Sequence, residues 1–188
     1  MNIPPIKVIP VSFTGLREIK NGTLWHTITI PFGDYSGTQT FFNDYNGDSN
    51  VRNGSLCVGK QFIVKKISLM PSLEALPNDV NALMSNSHFS FDLPTRRIYE
   101  GPAQTFYKGT AKTLDEIFLG IKKLPKKTQQ AILENLKVPS GMELDDPGLQ
   151  LMELQCFRAT LNTSTQIKLK KLIKLTCLLE GMSHTTLY

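Results

Sequence analysis

The alternation of hydrophobic and polar residues predicts that this chain is built mainly from β-strands. Residues 23–30 alternate between apolar and polar side chains, and Pro31 ends the run. Residues 87–92 show the same period of two, with Phe89 and Phe91 on one side. The face of the first strand that we expect to be buried consists of Leu24, His26, Ile28 and Ile30.

A longer strand over residues 56–69 is predicted to contain a β-bulge. Phe62 and Val64 lie on one face of this strand at a period of two. Ile67 joins that face only if one extra residue intervenes at Lys65–Lys66. Such an offset is typical of a bulge.

The rest of the first half contains turn signals and weaker strands. Residues 6–13 alternate, although Pro10 confines a strand there to the edge of a sheet. Asn21-Gly22 is a dipeptide typical of two-residue hairpin turns. Residues 33–54 indicate a polar loop with a short strand over 38–42.

The pattern changes to helical spacing over residues 113–138, which we interpret as a helical insertion in a β domain. Thr113 and Glu116 form a capping box, Thr-x-x-Glu, ahead of apolar residues at helical spacing. Pro125 fits the first turn of a second helix. We therefore predict that residues 114–136 are mainly helical.

The last third of the sequence returns to strands. Residues 154–161 alternate, and residues 172–180 are rich in side chains that favour strands. Over residues 165–181 the pattern fits both a period of two and a helical stripe. We favour a loop or short helix over 164–170 that leads into the strand. The whole pattern predicts one antiparallel β-sandwich or jelly-roll domain, residues 1–188, with a helical insertion.

The composition is typical of a folded globular domain. Of the 188 residues, 40% are hydrophobic and 20% are charged, so the chain is long and apolar enough to bury a core. No apolar run approaches the roughly 18 residues that a membrane helix needs, and we predict no transmembrane segment. The start of the sequence lacks the features of a signal peptide. The net charge of +5 favours polyanionic partners.

The three cysteines are predicted to be reduced and mostly buried. Cys57, Cys156 and Cys177 are far apart in the sequence, odd in number and set in apolar, strand-like runs. They also lack the paired spacing of a zinc site.

No residue pattern indicates a catalytic, cofactor-binding or metal site, and we predict a protein that is not an enzyme. Residues 44–55 begin like a calcium-binding loop, but Ser49 and Ser55 occupy positions where such a loop needs glycine and glutamate. The acidic loop 143–148 is interpreted as solvated, with a catalytic carboxylate pair as the alternative. His26 is expected to be partly buried and structural.

Clustered lysines give the sharper chemical signal. Lysines at this spacing can neutralise phosphate groups without reading base sequence. A solvated face is the alternative, because aromatic residues that would stack on bases are missing from the clusters. The helical insertion contains Lys122, Lys123, Lys126 and Lys127. The candidate nucleic-acid contacts are Lys168, Lys170, Lys171 and Lys174.

Five short sequence blocks occur in an order that resembles a known family. The first half contains TQTFF at 38–42, NGSL at 53–56 and GKQFIVKKI at 59–67. The second half contains FRATLN at 157–162 and KLTCLLEG at 174–181. This arrangement resembles the single β-jelly-roll virion proteins of small, tailless, icosahedral bacteriophages.

The resemblance implies a non-enzymatic structural protein of the virion that acts through subunit–subunit contacts. The helical stretch 113–138 departs from the family pattern, and it leaves open a capsid, minor capsid, spike or vertex role. The implied partners are other copies of the chain, other virion proteins and packaged nucleic acid. Two alternatives stay open, namely a soluble β-sandwich module that binds glycans or peptides and a basic packaging protein that contacts nucleic acid.

Residues 1–12 are predicted to form an extended arm because they contain three prolines. An arm of this kind is suited to lying across a neighbouring subunit. We expect residues 182–188 to lie against other subunits as well. The candidate subunit contacts in the arm are Ile3, Pro4, Pro5 and Ile6.

Overall fold

A computed structural model of the chain describes residues 17–43, 47–52, 54–109, 119, 121–126, 128–130 and 140–186. Most of the predicted helical insertion lies outside these residues, and the described residues 119, 121–122, 126 and 128–130 within it are helical. The strand 6–13 and the arm 1–12 also lie outside them, together with its candidate contacts Ile3, Pro4, Pro5 and Ile6.

The secondary-structure elements are named in chain order. The first half contains β1 (Arg17–Ile30), β2 (Gly33–Phe41), β3 (Asp48–Ser49), β4 (Lys60–Pro71), α1 (Pro77–Ser85) and β5 (Ser87–Leu93). The second half contains β6 (Arg96–Pro102), α2 (Ala103–Phe106), β7 (Met142–Glu143), β8 (Leu149–Leu151), β9 (Arg158–Leu169) and β10 (Ile173–Thr186). The chain is therefore mainly β, as the alternation predicts.

These strands form two sheets. Sheet A has the order β3-β1-β10-β4-β7, and β8 also pairs with β4. Sheet B has the order β2-β9-β5-β6. Every pairing between the named strands is antiparallel, which confirms the antiparallel prediction.

The strands pair in a nested order, in which the first and last strands pair with each other and the pairs of the remaining strands lie between them in the sequence. β1 pairs with β10 along its whole length, from Arg17 opposite Thr186 to Ile30 opposite Ile173. Inside that pair, β2 pairs with β9, β4 pairs with β7 and β8, and β5 pairs with β6. β10 also pairs with β4, and β9 also pairs with β5. The consecutive strands β9 and β10 therefore occupy interior positions, one in each sheet.

The inner faces of both sheets contribute to one hydrophobic core. Sheet A supplies Ile28 and Leu175, and sheet B supplies Phe89 and Leu161, all at most 1% exposed. Burying each side chain of this size stabilises the fold by about 1.5–3 kcal/mol. The strands predicted over residues 23–30 and 87–92 are confirmed, and their apolar faces are buried. In the second strand, Ser90 and Asp92 on the opposite face are buried as well.

The predicted β-bulge in β4 is confirmed. Glu180 of β10 lies opposite Lys66, and Gly181 lies opposite Val64, so Lys65 is the extra residue. The bulge restores the apolar positions of β4 to one face. These positions, all at most 2% exposed, are Phe62, Val64, Ile67 and Leu69.

Three predicted local features are wrong because strand pairing replaces them, and the first is the loop predicted over residues 33–37, which belongs to β2. Asn21-Gly22 forms no hairpin turn, since both residues lie inside β1 opposite Met182 and Gly181 of β10. Residues 164–169 form neither a loop nor a short helix. They continue β9, because Ile167 and Leu169 extend the period of two into the core.

The prediction that residues 182–188 lie against other subunits is wrong for residues 182–186. These residues form the end of β10, with β1 on one side and β4 on the other. Their backbone hydrogen-bonding groups therefore pair within their own sheet. Residues 187–188 lie outside the described part of the chain.

Helix α1 is an element that the alternation does not predict. Val80, Leu83 and Met84 pack their side chains into the core. Pro77 lies in the first turn, where its missing N–H removes no intrahelical hydrogen bond. Pro77 followed by Asp79 is the sequence signal for this helix start.

We expect the substitution Gly181→Ala to destabilise the sheet at the bulge. A Cβ atom on Gly181 would overlap the backbone carbonyl oxygen of Ile63. Overpacking of this kind costs about 1–3 kcal/mol, and the urea midpoint measured by circular dichroism should fall. Gly101→Ala is the matched control, because its added Cβ would meet only a ring carbon of Phe106, at 3.8 Å. Equal midpoints for the two variants would contradict this reasoning.

Candidate functional site

The structure places the four candidate lysines at one end of the domain. They lie in or beside the turn 170–172, which joins β9 in sheet B to β10 in sheet A. Asp34 of β2 lies opposite Lys168 and offsets part of the positive charge. The side chains, all exposed, are those of Lys168, Lys170, Lys171 and Lys174.

A buried carboxylate fixes the backbone of this turn. Asp79 of α1 is 3% exposed. Its Oδ2 atom accepts hydrogen bonds from the backbone N–H groups of Lys170, at 2.8 Å, and Lys171, at 3.0 Å. Charge-assisted hydrogen bonds of this kind are stronger than neutral ones. The two lysine side chains therefore project from a defined backbone.

Three exposed apolar side chains lie in the turns at the same end. Phe32, between β1 and β2, is 72% exposed, and Leu73 and Leu172 are 62% and 47% exposed. The β1–β2 and β9–β10 connections cross between the sheets side by side. The third turn, which contains Leu73, follows β4. Its Ser72 N–H donates a hydrogen bond to the carbonyl oxygen of Lys174 at 2.8 Å, and this bond connects the turn to the start of β10. We name the four lysines with Phe32, Leu73 and Leu172 the basic end.

Phe32 is a candidate functional residue that the lysine pattern does not reveal, because no aromatic residue lies within the lysine cluster itself. The aromatic side chain comes instead from a turn that is distant in sequence and adjacent in space. The available signal was an apolar residue directly after Pro31, where a strand stops and a side chain is expected to be polar.

The opposite end of the domain carries a pair of linked loops, residues 56–59 and 152–156. The N–H of Leu154 donates to the carbonyl of Leu56 at 3.0 Å. The N–H of Gly59 donates to the carboxylate of Glu153. The two loops are therefore held against each other where the chain enters β4 and β9.

This loop pair exposes large apolar side chains. Val58 and Leu154 are each 65% exposed, and Met152 is 41% exposed. Leu154 has a backbone φ of 57°, in the left-handed region. That conformation costs a non-glycine residue about 1–2 kcal/mol. We name Val58, Met152 and Leu154 the apolar end.

The cysteine prediction is correct for pairing and wrong for burial at two of three positions. Cys57, Cys156 and Cys177 are all free, and only Cys177 is buried. Cys57 and Cys156 are exposed because the predicted strands start later, at Lys60 and Arg158. Both cysteines thus lie in the loops that precede the strands.

Two other candidates from the sequence are His26, which has a structural role, and the acidic loop, which is solvated. His26 is fully buried, rather than partly, and its Nδ1 accepts a hydrogen bond from the N–H of Phe42 at 2.6 Å. The side chains of Glu143 and Asp146 in the acidic loop are 79% and 91% exposed. A hydrogen bond from Lys65, together with its charge, lowers the pKa of Asp146.

Some candidate positions are described only in part. Lys122, Lys123 and Lys126 are exposed, and the side chain of Lys127 lies outside the described residues, as do residues 44–46 of the loop that begins like a calcium site. Within the described ranges, no group of three or more His, Cys, Asp or Glu residues is placed to hold a metal ion. Nor does any helix in those ranges have the length and apolar character to cross a membrane.

No protein-family model matches this sequence, and no curated protein matches it significantly. The resemblance to phage jelly-roll proteins therefore stays a prediction. The basic end and the apolar end are two surfaces that expose candidate binding residues.

We expect two thiols to react rapidly with Ellman's reagent in the native protein and the third only after unfolding. The thiolate is the reacting form, and burial raises the pKa of Cys177. Raising the pH should therefore leave the reaction of Cys177 slow in the native protein. The denatured chain should give all three thiols. A single fast thiol in the native protein would contradict the exposure of Cys57 or Cys156.

Proposed function

We propose that this chain is a jelly-roll structural protein of a virus particle, which works through contacts with other subunits and with packaged nucleic acid. The observation that carries the proposal is the nested strand pairing. Two antiparallel sheets of four strands each, connected as Greek keys, make a jelly roll, and this fold builds many viral capsids as well as lectin domains.

The nested order fits eight jelly-roll strands once β7 and β8 are taken as one interrupted strand. Both pair with β4 in sheet A, and the residues between them form the acidic loop. The first strand then pairs with the eighth, the second with the seventh, the third with the sixth and the fourth with the fifth. The short β3 extends sheet A beyond β1.

The interior of the domain favours a structural role over ligand binding between the sheets. Large aromatic side chains fill the space where an open barrel would hold a ligand. Such side chains, all at most 1% exposed, include Phe41, Phe89, Phe91 and Phe106. Partners are therefore expected to bind to the outer faces and to the ends.

The apolar end is the surface that we assign to contacts with another copy of the chain. Its exposed side chains, Val58 and Leu154 above all, would be removed from water on association, and this is favourable for apolar surface. The left-handed backbone at Leu154 holds its side chain outward at an energetic cost. Burial of Leu154 in a subunit interface would offset that cost.

We expect the purified full-length chain to form species larger than the 21.1 kDa monomer in sedimentation velocity. Leu154→Asp should weaken this association at least about tenfold, because a carboxylate would have to be desolvated in the interface. Leu124→Asp is the matched control, since Leu124 is 40% exposed and belongs to the helical stretch. A wild-type chain that stays monomeric at high concentration would contradict the proposal. Equal weakening by both variants would contradict the placement of the interface.

The basic end is the surface that we assign to packaged nucleic acid. Four exposed lysines on a backbone fixed by Asp79 can contact phosphates without reading sequence. Phe32 adds an exposed ring on which a base of a single strand can stack. This combination of charge and one aromatic ring suits single-stranded nucleic acid.

We expect the chain to bind a fluorescent oligothymidylate with an affinity that falls steeply as salt rises. Replacing Lys170 and Lys171 by alanine should reduce the salt slope by about one for each phosphate that is no longer neutralised. Phe32→Ala should lower the affinity and leave the slope unchanged, because stacking releases no counterions. The matched control replaces Lys122 and Lys123 by alanine. An equal reduction of the salt slope in both double variants would show that binding depends on net charge alone. That result would contradict the assignment of the nucleic-acid contacts to the basic end.

A further inference from the structure

The outer face of sheet B is a polar surface that neither the basic end nor the apolar end includes. The register sets its side chains in rows across the strands. One row runs from Thr38 through Asn162 to His88. The next row contains Thr40, Thr160, Ser90 and Glu100. The third row contains Arg158, Asp92 and Arg97.

A cleft of about 400 Å³ lies over the first two rows. Its floor is nearly inaccessible to solvent, since Ser90 is 6% exposed and the adjacent Asp92 is 8% exposed. Its walls come from Thr38 and Asn162 on one side and Arg97 and Glu100 on the other. The volume is large enough for a small ligand of the size of a sugar ring.

Ion pairs fix the charged groups beside this floor. Nε of Arg97 donates to Oδ1 of Asp92 at 2.9 Å, and Nη1 of Arg97 donates to Oε2 of Glu100 at 3.0 Å. Nε of Arg158 lies 3.8 Å from Oδ2 of Asp92. The orientation of both carboxylates is therefore set before any ligand arrives, which reduces the entropic cost of binding.

Several polar atoms in the cleft keep hydrogen-bonding capacity. Oε1 of Glu100 lies 3.8 Å from Nδ1 of His88, beyond hydrogen-bond distance. Asn162 uses only its carbonyl oxygen, which accepts a 3.4 Å hydrogen bond from Thr38. The amide N–H₂ of Asn162 and the hydroxyl of Thr160 make no hydrogen bond with another described residue. The free donors of β9 and the free carboxylate oxygen of Glu100 on β6 thus lie two strands apart, at about 4.8 Å per strand.

We infer that this cleft binds a neutral saccharide through hydrogen bonds to its hydroxyl groups. Two carboxylates and two guanidinium groups balance in charge, so the face attracts neither phosphate nor cations strongly. It offers little apolar area to a hydrophobic peptide. Sugar hydroxyls both donate and accept, and they match a cleft whose lining contains free donors on one strand and a free acceptor on another. The inference is independent of particle assembly.

The test is an NMR titration of the full ¹⁵N-labelled chain with lactose, maltose and diacetylchitobiose at millimolar concentrations. We expect at least one of the three to cause saturable shifts confined to amides of residues 38–40, 88–92, 97–101 and 158–162. Inorganic phosphate should leave these amides unchanged. No saturable shift with any of the three sugars, or shifts in other regions, would overturn the inference, as would phosphate shifting the same amides.

Two variants and a matched control assign the binding to the cleft. Asn162→Ala and Glu100→Gln should each weaken the binding of the responding sugar by about tenfold, since the first removes an amide that lines the cleft and the second replaces a charged hydrogen-bond acceptor by a weaker, neutral one. Thr165→Ala changes an exposed residue that lies in β9, as Asn162 does, but outside the cleft. This variant should bind the sugar as tightly as the unaltered chain does. Because Glu100 lies on the edge strand β6, Glu100→Gln still tests the inference if Asn162→Ala fails to fold. Unchanged affinity in a folded variant would contradict the assignment.

Discussion

The rest of the structure depends on the pairing of β10 between β1 and β4. β10 supplies the hydrogen-bonding partner for all of β1 and for most of β4, and its inner face adds Leu175, Cys177 and Leu179 to the core. Because β9 precedes it by a turn of three residues, the same continuous segment also fills the centre of sheet B. The two sheets are therefore connected through their central strands as well as through the shared core.

The position of β10 and β9 inside the two sheets also separates the basic end from the apolar end. The chain enters β4 and β9 at the apolar end and leaves both strands at the basic end. A strand of 12 residues such as β9 spans roughly 40 Å at about 3.3 Å per residue. At physiological salt, charges are screened within about 8 Å, so the lysines of the basic end have little electrostatic influence on the apolar end. One rigid domain can therefore present two surfaces of different chemistry that act independently.

The features that could be predicted from the sequence are those encoded by neighbouring residues. The faces of the strand 23–30 and the bulge at Lys65 follow from periodicity alone, and the structure has both. The turn expected at Asn21-Gly22 is absent because the turn preference of this dipeptide contributes less free energy than the pairing of fourteen residues of β1 with β10. Phe32 could not be assigned to the lysines, because only the pairing of both sheets brings its turn beside theirs. The polar cleft likewise requires the register of four strands.

The interior position of the β9–β10 segment in both sheets has a consequence for synthesis on the ribosome. Until residues 158–186 have emerged, β1 and β4 lack a common neighbour, and so do β2 and β5. Unpaired edges of this kind are templates for pairing between chains. The nascent chain therefore completes both sheets late and together, by long-range contacts that form slowly. Where many copies are made side by side, the β9–β10 segment is the one best suited to be exchanged between molecules.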